Sequence, residues 1–183
     1  MSGMEIERPL PGEPMALDLV NTVWMQHGHP VDLLTLPDGT ARWLADAGLP
    51  DHPSGPAVTA ALLTAREAIR GHFEQPESES ARAALNTVLD WGRHRSSLGP
   101  AGPETIGELA DPERRAGWLA AINYLELLTA DASRVRRCAH PECVLHFYDT
   151  SPKRSRRWCS MAGCGNRAKA ARHYARTKQR TSA

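Results

Sequence analysis

The segments CAHPEC (Cys138–Cys143) and CSMAGC (Cys159–Cys164) contain all four cysteines of this 183-residue chain. Four residues separate the two cysteines within each segment, and 15 residues separate the segments. Zinc takes four tetrahedral nitrogen or sulfur ligands, and two cysteine pairs that each close a short loop supply them at a small loss of chain entropy. The spacing therefore predicts one zinc ion bound by Cys138, Cys143, Cys159 and Cys164.

The predicted zinc site is structural. Four thiolates complete the tetrahedral shell of zinc and leave no position for a catalytic water. The sequence also contains no nucleophile–base pair, glycine-rich phosphate loop or His-Glu metal motif, so we expect no enzyme activity. Two alternatives stay open on the sequence alone. The thiols are buried or redox-active without a metal, or one thiolate is replaced by His140, His146 or His173.

The residues around the cysteines predict a small finger over residues 134–180. His146–Asp149 is typical of a strand, and Arg156–Trp158 is typical of a strand that returns beside it. After Cys164, the alanine-rich segment that starts at Arg167 predicts a basic helix. A knuckle, a β-hairpin and a C-terminal helix together indicate a treble-clef-like zinc finger.

The charge of the chain is divided between its two parts. Residues 134–183 contain 13 Lys and Arg but only two acidic residues, Glu142 and Asp149, which gives a net charge of +11. The other 133 residues contain nine basic and 19 acidic residues, which gives a net charge of −10. Such asymmetry indicates a module that meets a polyanion, so we expect DNA as a partner.

The candidate nucleic-acid-binding residues lie on the predicted hairpin and helix. Phosphate binding needs a row of cations, because each neutralised phosphate releases counterions. The candidate set is Lys153, Arg154, Arg156, Arg157, Asn166, Arg167, Lys169, Arg172 and Arg176. On the helix, Lys169, Arg172 and Arg176 share one face by their spacing. For Asn166, helix capping is favoured over a phosphate or base contact. The alternative is a solvated basic face, or one that docks an acidic protein partner or the acidic part of the chain.

Residues 13–133 predict a mostly helical domain, so the predicted fold class is mainly α. Apolar residues recur at helical spacing in residues 15–26, 40–47, 57–73, 77–91 and 111–133. Asp111 followed by Pro112 matches the chemistry of a helix start. Glycine and proline interrupt residues 96–109, where we expect a short hairpin.

Polar residues interrupt the first apolar segment of this domain. Asp18, Asn21 and Trp24 are candidates for lining a pocket that binds a small-molecule effector. The alternative is that Asp18 and Asn21 brace neighbouring loops. The domain is also the expected site of any homodimer contact.

No apolar run approaches the roughly 18–20 residues that cross a bilayer, so we expect no membrane partner. The N-terminal residues lack the basic and apolar regions of a secretory signal. Together with the clustered thiols, these features lead us to expect a cytoplasmic protein.

Several stretches resemble a known family. FYDTS (Phe147–Ser151), RRWCSM (Arg156–Met161) and CGNRAK (Cys164–Lys169) are similar to the CGNR zinc finger, which is named for the tetrapeptide at Cys164–Arg167. LDLVNT (Leu17–Thr22) resembles the start of the ABATE domain, which precedes this finger in the family and is described as a stress-induced transcription regulator. The resemblance implies a DNA-binding regulator with a structural zinc ion. The alternative function is a protein-interaction module whose basic finger docks an acidic partner.

Overall fold

The computed structural model of the protein describes residues 8–181, apart from the side chains of residues 175, 176 and 179–181. The helices in this range are α1 (Met15–Val20), α2 (Gly39–Asp46), α3 (Pro56–Glu74), α4 (Glu79–Leu89), α5 (Arg115–Asp131) and α6 (Asn166–Thr181). The strands are β1 (Val23–Gln26), β2 (His29–Asp32), β3 (Gly92–Gly99), β4 (Gly102–Leu109), β5 (Val135–Arg137) and β6 (His146–Tyr148). They form three separate antiparallel hairpins, β1–β2, β3–β4 and β5–β6. Within residues 8–181, no helix is both long enough and apolar enough to cross a membrane.

The core of the helical part lies where α3 and α5 pack on each other and on α1 and α4. Its largest buried side chains include Trp43, Trp118 and Tyr124. The predicted start of α5 is close to the observed one, because the Asp111 carboxylate accepts a hydrogen bond from the Glu113 amide. The first turn after it, Pro112–Arg114, is a 3₁₀ turn, and the α-helix begins at Arg115.

The predicted helix over residues 15–26 is wrong in its second half. Helix α1 ends at Val20, and Trp24 lies on β1 instead. The Thr22 hydroxyl donates to the Leu19 carbonyl and accepts from Arg66, which also forms an ion pair with Asp32 on β2 at 2.7 Å. These contacts between distant segments turn the chain out of the helix, and the apolar spacing alone did not show them.

The hairpin expected over residues 96–109 is longer than predicted, because β3 begins at Gly92. Glycine is needed there because its strand lies directly on an indole ring. A Cβ atom at Gly92 would lie 2.9 Å from the Trp118 ring, and one at Gly107 would lie 3.0 Å from it. The Trp118 indole also donates to the Leu89 carbonyl at the end of α4, which fixes the base of the hairpin.

The strand pairing in the cysteine-containing part differs from the prediction. Strand β6 pairs with β5, which precedes Cys138, and not with residues 156–158. The Arg156 amide donates to the Asp149 carboxylate at 3.0 Å and is therefore not free to join a ladder. The predicted returning strand is wrong for this reason. A small hairpin is present, but its position in the chain is different.

The cysteine-containing part and the helical part share one core. Leu145, Phe147 and the four cysteines belong to the same buried cluster as Leu17 and Leu62 of the helices. Asn21, at the end of α1, forms hydrogen bonds with the backbone of β6, as the backbone of a neighbouring strand would. Its side-chain amide donates to the His146 carbonyl and accepts from the His146 amide, both at 2.8 Å. The chain therefore packs continuously across the predicted boundary at residues 133 and 134.

The Asn21→Ala variant should lose stability, because it leaves a buried donor and a buried acceptor of His146 without partners. Each such group costs about 1–3 kcal/mol of unfolding free energy. Chemical denaturation measures the difference, and Asn86→Ala on the exposed face of α4 is the matched control. Equal midpoints for the two variants would contradict the bracing role of Asn21.

His146 itself is buried without hydrogen bonds from its ring. Both ring nitrogens lack a partner among the described residues, and the ring packs edge-on against Phe73 at 4.4 Å between centroids. Burial, followed by the charges of Arg137 and Arg70, lowers the pKa of His146 to about 4. The imidazole is therefore neutral in the folded protein at neutral pH.

This lowered pKa predicts a pH-dependent stability. In the unfolded chain His146 has a pKa of about 6.5, so below this pH the unfolded chain takes up a proton that the folded chain excludes. The free energy of unfolding therefore decreases as the pH is lowered from about 6.5 to about 4. Between about pH 6.5 and about pH 5 the expected loss from this group is about 1.5 kcal/mol. Denaturation at several pH values gives the free energy of unfolding as a function of pH. The slope of this plot should be shallower for His146→Phe than for the parent chain. Parallel slopes would contradict the prediction.

Candidate metal centre and basic surface

The four predicted ligands converge at one point. Cys138 follows β5, Cys143 precedes β6, Cys159 ends the loop after β6, and Cys164 lies in a π-helical turn that leads into α6. Their side-chain sulfur atoms all lie within 4.8 Å of one another, and each residue is only 3–6% exposed. Cys159 Sγ is 3.8 Å from that of Cys143 and 3.6 Å from that of Cys164.

These distances fit zinc. Four thiolates at about 2.3 Å from a tetrahedral ion lie about 3.8 Å from one another. Among the described residues, the four cysteines alone contribute ligand atoms to this group. The alternative ligands His140, His146 and His173 lie outside it. The donor set therefore matches one structural zinc ion with a closed coordination shell.

Backbone hydrogen bonds set the positions of the cysteines. The Cys138 amide donates to the Leu145 carbonyl at 2.9 Å, which closes the first knuckle beside the β5–β6 hairpin. The Cys159 amide donates to the Cys138 sulfur at 3.4 Å and links the two pairs. In the second knuckle the Ser160 hydroxyl accepts from the Gly163 amide at 3.1 Å.

The thiols shift one another's pKa. A hydrogen bond from the Cys159 thiol lowers the pKa of Cys143 to about 5, while the same contact raises the pKa of Cys159. Burial raises the pKa of Cys164, although Arg167 donates to its sulfur. A divalent cation among the sulfurs favours the thiolate form of all four, so metal binding releases protons.

Asp149 organises the loop between the cysteine pairs, a role that no pattern in the sequence indicates. Its fully buried carboxylate accepts from the Ser151 amide and hydroxyl, the Arg156 amide and the Arg136 guanidinium. The Ser151 hydroxyl contributes most to a pKa of about 2 for Asp149. The loop that carries the predicted cations is therefore tied to a buried anion.

Arg156 is engaged inside the protein. Its guanidinium donates to the Glu13 carboxylate at 3.1 Å and to the Cys159 carbonyl at 2.6 Å, and it lies over the Phe147 ring at 4.2 Å. Glu13 in turn accepts from the Tyr148 amide at 2.8 Å. The structure thus places this predicted nucleic-acid contact in a bridge between the metal centre and the residues before α1.

The other predicted cations are more exposed. Lys153 and Arg157 are exposed on the loop, with the Arg157 guanidinium 5.3 Å from the Trp158 ring centre, and Arg154 pairs with Asp131 at 2.8 Å. On α6, Lys169 and Arg172 are exposed, and Arg167 Nη2 donates to Cys164 Sγ at 3.1 Å. The predicted side-chain contact of Arg176 lies outside the described residues.

The predicted capping role of Asn166 is wrong. Asn166 has helical backbone angles, and its side-chain amide donates to the Ala162 carbonyl one turn earlier. Ser160 performs the capping, because the helical turns begin at Met161 and not after Cys164.

The three predicted pocket residues do not line one cavity. Asn21 is buried against His146, as described above, and Trp24 lies beside the cysteines in a cavity of about 110 Å³. Asp18 lies in a different cavity of about 910 Å³, and its carboxylate accepts from Arg8 and from the Trp43 indole. Asp18 and Asn21 therefore brace the fold, which was the alternative interpretation.

The larger cavity lies between the two parts of the chain. Its walls come from residues 8–14, which we call the N-terminal strap, from α2 and from the second knuckle. Arg42 and Asp46 contribute from α2, and Ser160 and Gly163 contribute from the knuckle. The sequence showed no pattern for this site, because its walls are distant in the chain.

Comparison with family models identifies both parts. The model of the CGNR zinc finger matches residues 134–177. The ABATE model, described as "Putative stress-induced transcription regulator", matches residues 13–137. The second match covers more than half of the chain, so the protein belongs to the ABATE family and carries a CGNR zinc finger, as the sequence resemblance indicated. No curated protein matches the chain.

Removal of the metal should destabilise the helical part as well as the finger, because the cysteines belong to the shared core. Elemental analysis should give about one zinc per chain. Thermal unfolding followed by the helical circular dichroism signal should show one transition. A chelator should lower the melting temperature of that transition. Cys164→Ser should melt as the chelated parent does and respond no further to chelator. A helical signal that melts unchanged after zinc loss would contradict the shared core.

Proposed function

We propose that the protein is a transcription regulator that binds DNA through exposed cations on α6 and on the loop of residues 151–158. The observation that supports this most directly is the exposure of α6. Its described side chains are exposed or half-buried, and none is buried. The helix contains Lys and Arg but no acidic residue.

The positive charges of α6 repel one another unless an anion binds the helix. Cations three or four residues apart on a helix, such as Lys169 and Arg172, repel each other by a few tenths of a kcal/mol. A helix without a buried apolar face also gains little from packing. A nucleic-acid backbone removes the repulsion and releases counterions, so it is the partner that this surface suits best.

The ion pairs within the protein narrow the proposed contact surface. Arg154 is partly engaged by Asp131, and Arg156 is engaged by Glu13 and the Cys159 carbonyl. We therefore assign the phosphate contacts to the exposed residues Lys153, Arg157, Lys169 and Arg172. The zinc knuckle fixes the start of α6, so the helix and the loop are presented together.

We place the site of a small-molecule effector in the cavity of about 910 Å³ beside Asp18. A ligand there would contact the N-terminal strap, α2 and the second knuckle at once. Its polar walls, which include Arg42 and Asp46, suit a polar ligand more than an apolar one. A homodimer through the helical part stays a prediction.

We propose no catalytic activity for this chain, since a zinc ion with four thiolate ligands has no open position. We place the protein in the cytoplasm, where thiols stay reduced. The alternative function is docking of an acidic protein. Pulldowns with and without nuclease distinguish it from the proposed function, because nuclease releases only partners that are held through nucleic acid.

DNA binding should depend on Lys169 and Arg172. The association constant K for a labelled duplex is measured at several salt concentrations. For the parent chain, log K should fall linearly with log salt concentration, with a slope of about −0.9 for each phosphate contact. Lys169→Gln/Arg172→Gln should weaken binding and reduce that slope by about 2. Arg82→Gln/Arg93→Gln removes the same charge from the helical part and is the control. The proposal fails if the parent chain does not bind, or if the two double variants behave alike.

A further inference from the structure

We infer that Arg167 is a positioning residue of the metal centre, which holds the Cys164 thiolate in place and offsets the charge of the site. Its Nη2 lies 3.1 Å from Cys164 Sγ, and the two residues lie side by side because they are three positions apart on helical turns. The guanidinium is therefore turned back toward the sulfur, and not outward along α6. This inference does not depend on nucleic-acid binding.

The charge of the site explains why a cation is needed there. One zinc ion and four thiolates carry a net charge of −2, and these sulfurs lie in a buried cluster where water offsets charge poorly. Hydrogen bonds to ligand atoms stabilise such charge and fix the orientation of the ligands. A guanidinium gives both a full positive charge and directed N–H donors.

The cysteine sulfur atoms accept hydrogen bonds from different donors. Cys138 accepts from the Cys159 amide at 3.4 Å. For Cys164, the corresponding contact is the charged donor of Arg167. These two contacts combine a neutral amide with a cation, and the cation acts on the ligand at the start of α6.

The small cavity beside the centre gives Arg167 a second effect. This cavity of about 110 Å³ is lined by Cys143, Cys159 and Cys164, and also by Arg167. Water or a chelator that approached the sulfurs from this side would meet the guanidinium. Loss of the side chain would therefore weaken the Cys164 contact and open the approach to it.

The test compares Arg167→Gln with Lys169→Gln, which removes the same charge from the same helix without touching a sulfur. Competition with a chromogenic chelator should show zinc affinity falling about 10–100-fold in Arg167→Gln, as for other changes next to metal ligands, and little change in Lys169→Gln. Cobalt loading gives a second readout. The sulfur-to-cobalt charge-transfer bands should move to longer wavelength in Arg167→Gln alone, because a thiolate without its donor is easier to oxidise.

Equal zinc affinity and equal cobalt spectra in the two variants would overturn the inference and leave Arg167 as a surface cation. A measurement on the parent chain covers the case in which Arg167→Gln does not fold. With ¹¹³Cd in the site, guanidinium protons of Arg167 should exchange slowly and show coupling to cadmium through the Cys164 sulfur. A rapidly exchanging guanidinium without that coupling would also overturn the inference.

Discussion

The convergence of four sulfur atoms within 4.8 Å is the constraint on which the C-terminal part depends. Together with the buried Asp149 carboxylate and the Asn21 side chain, it holds β5–β6, the loop of residues 151–158 and the start of α6 in place. The same cysteines also pack into the core formed by α1, α3 and α5. The zinc finger is thus a region of one continuous structure. The Asn21 side chain, which binds the backbone of His146, makes that continuity specific.

The features that the sequence predicted are those that depend on near neighbours. The cysteine spacing, the basic helix and the longer helices of the body follow from local patterns, and the family resemblance agrees with them. The features that it missed depend on partners far along the chain. Helix α1 ends at Val20 because Asn21 and Thr22 are used by β6 and Arg66, and β6 pairs with β5 because Asp149 takes the Arg156 amide. Spacing does not reveal such partners.

The basic residues divide into two groups that net charge alone does not separate. Some build the structure: Arg136 binds Asp149, Arg156 binds Glu13, and Arg167 donates to the Cys164 sulfur. Others, such as Lys153 and Arg157, are exposed. A net charge of +11 over 50 residues therefore overstates the charge that a polyanion meets. The remaining exposed cations still lie on a scaffold that fixes their direction, which lowers the entropy cost of the DNA binding that we propose.

The N-terminal strap connects the cavity of about 910 Å³ to the metal centre by direct contacts. Arg8 pairs with Asp46 of α2 at 2.8 Å, while Glu13 binds Arg156, which in turn donates to the carbonyl of a zinc ligand. A ligand in the cavity that changed the position of the strap would therefore alter the hydrogen bonds of Cys159. Coupling between two sites requires contacts that differ between two states, and the strap is the segment whose contacts both sites share. The position of α6 follows from the knuckle, so these contacts give a physical route from the cavity to the surface for which we propose DNA binding.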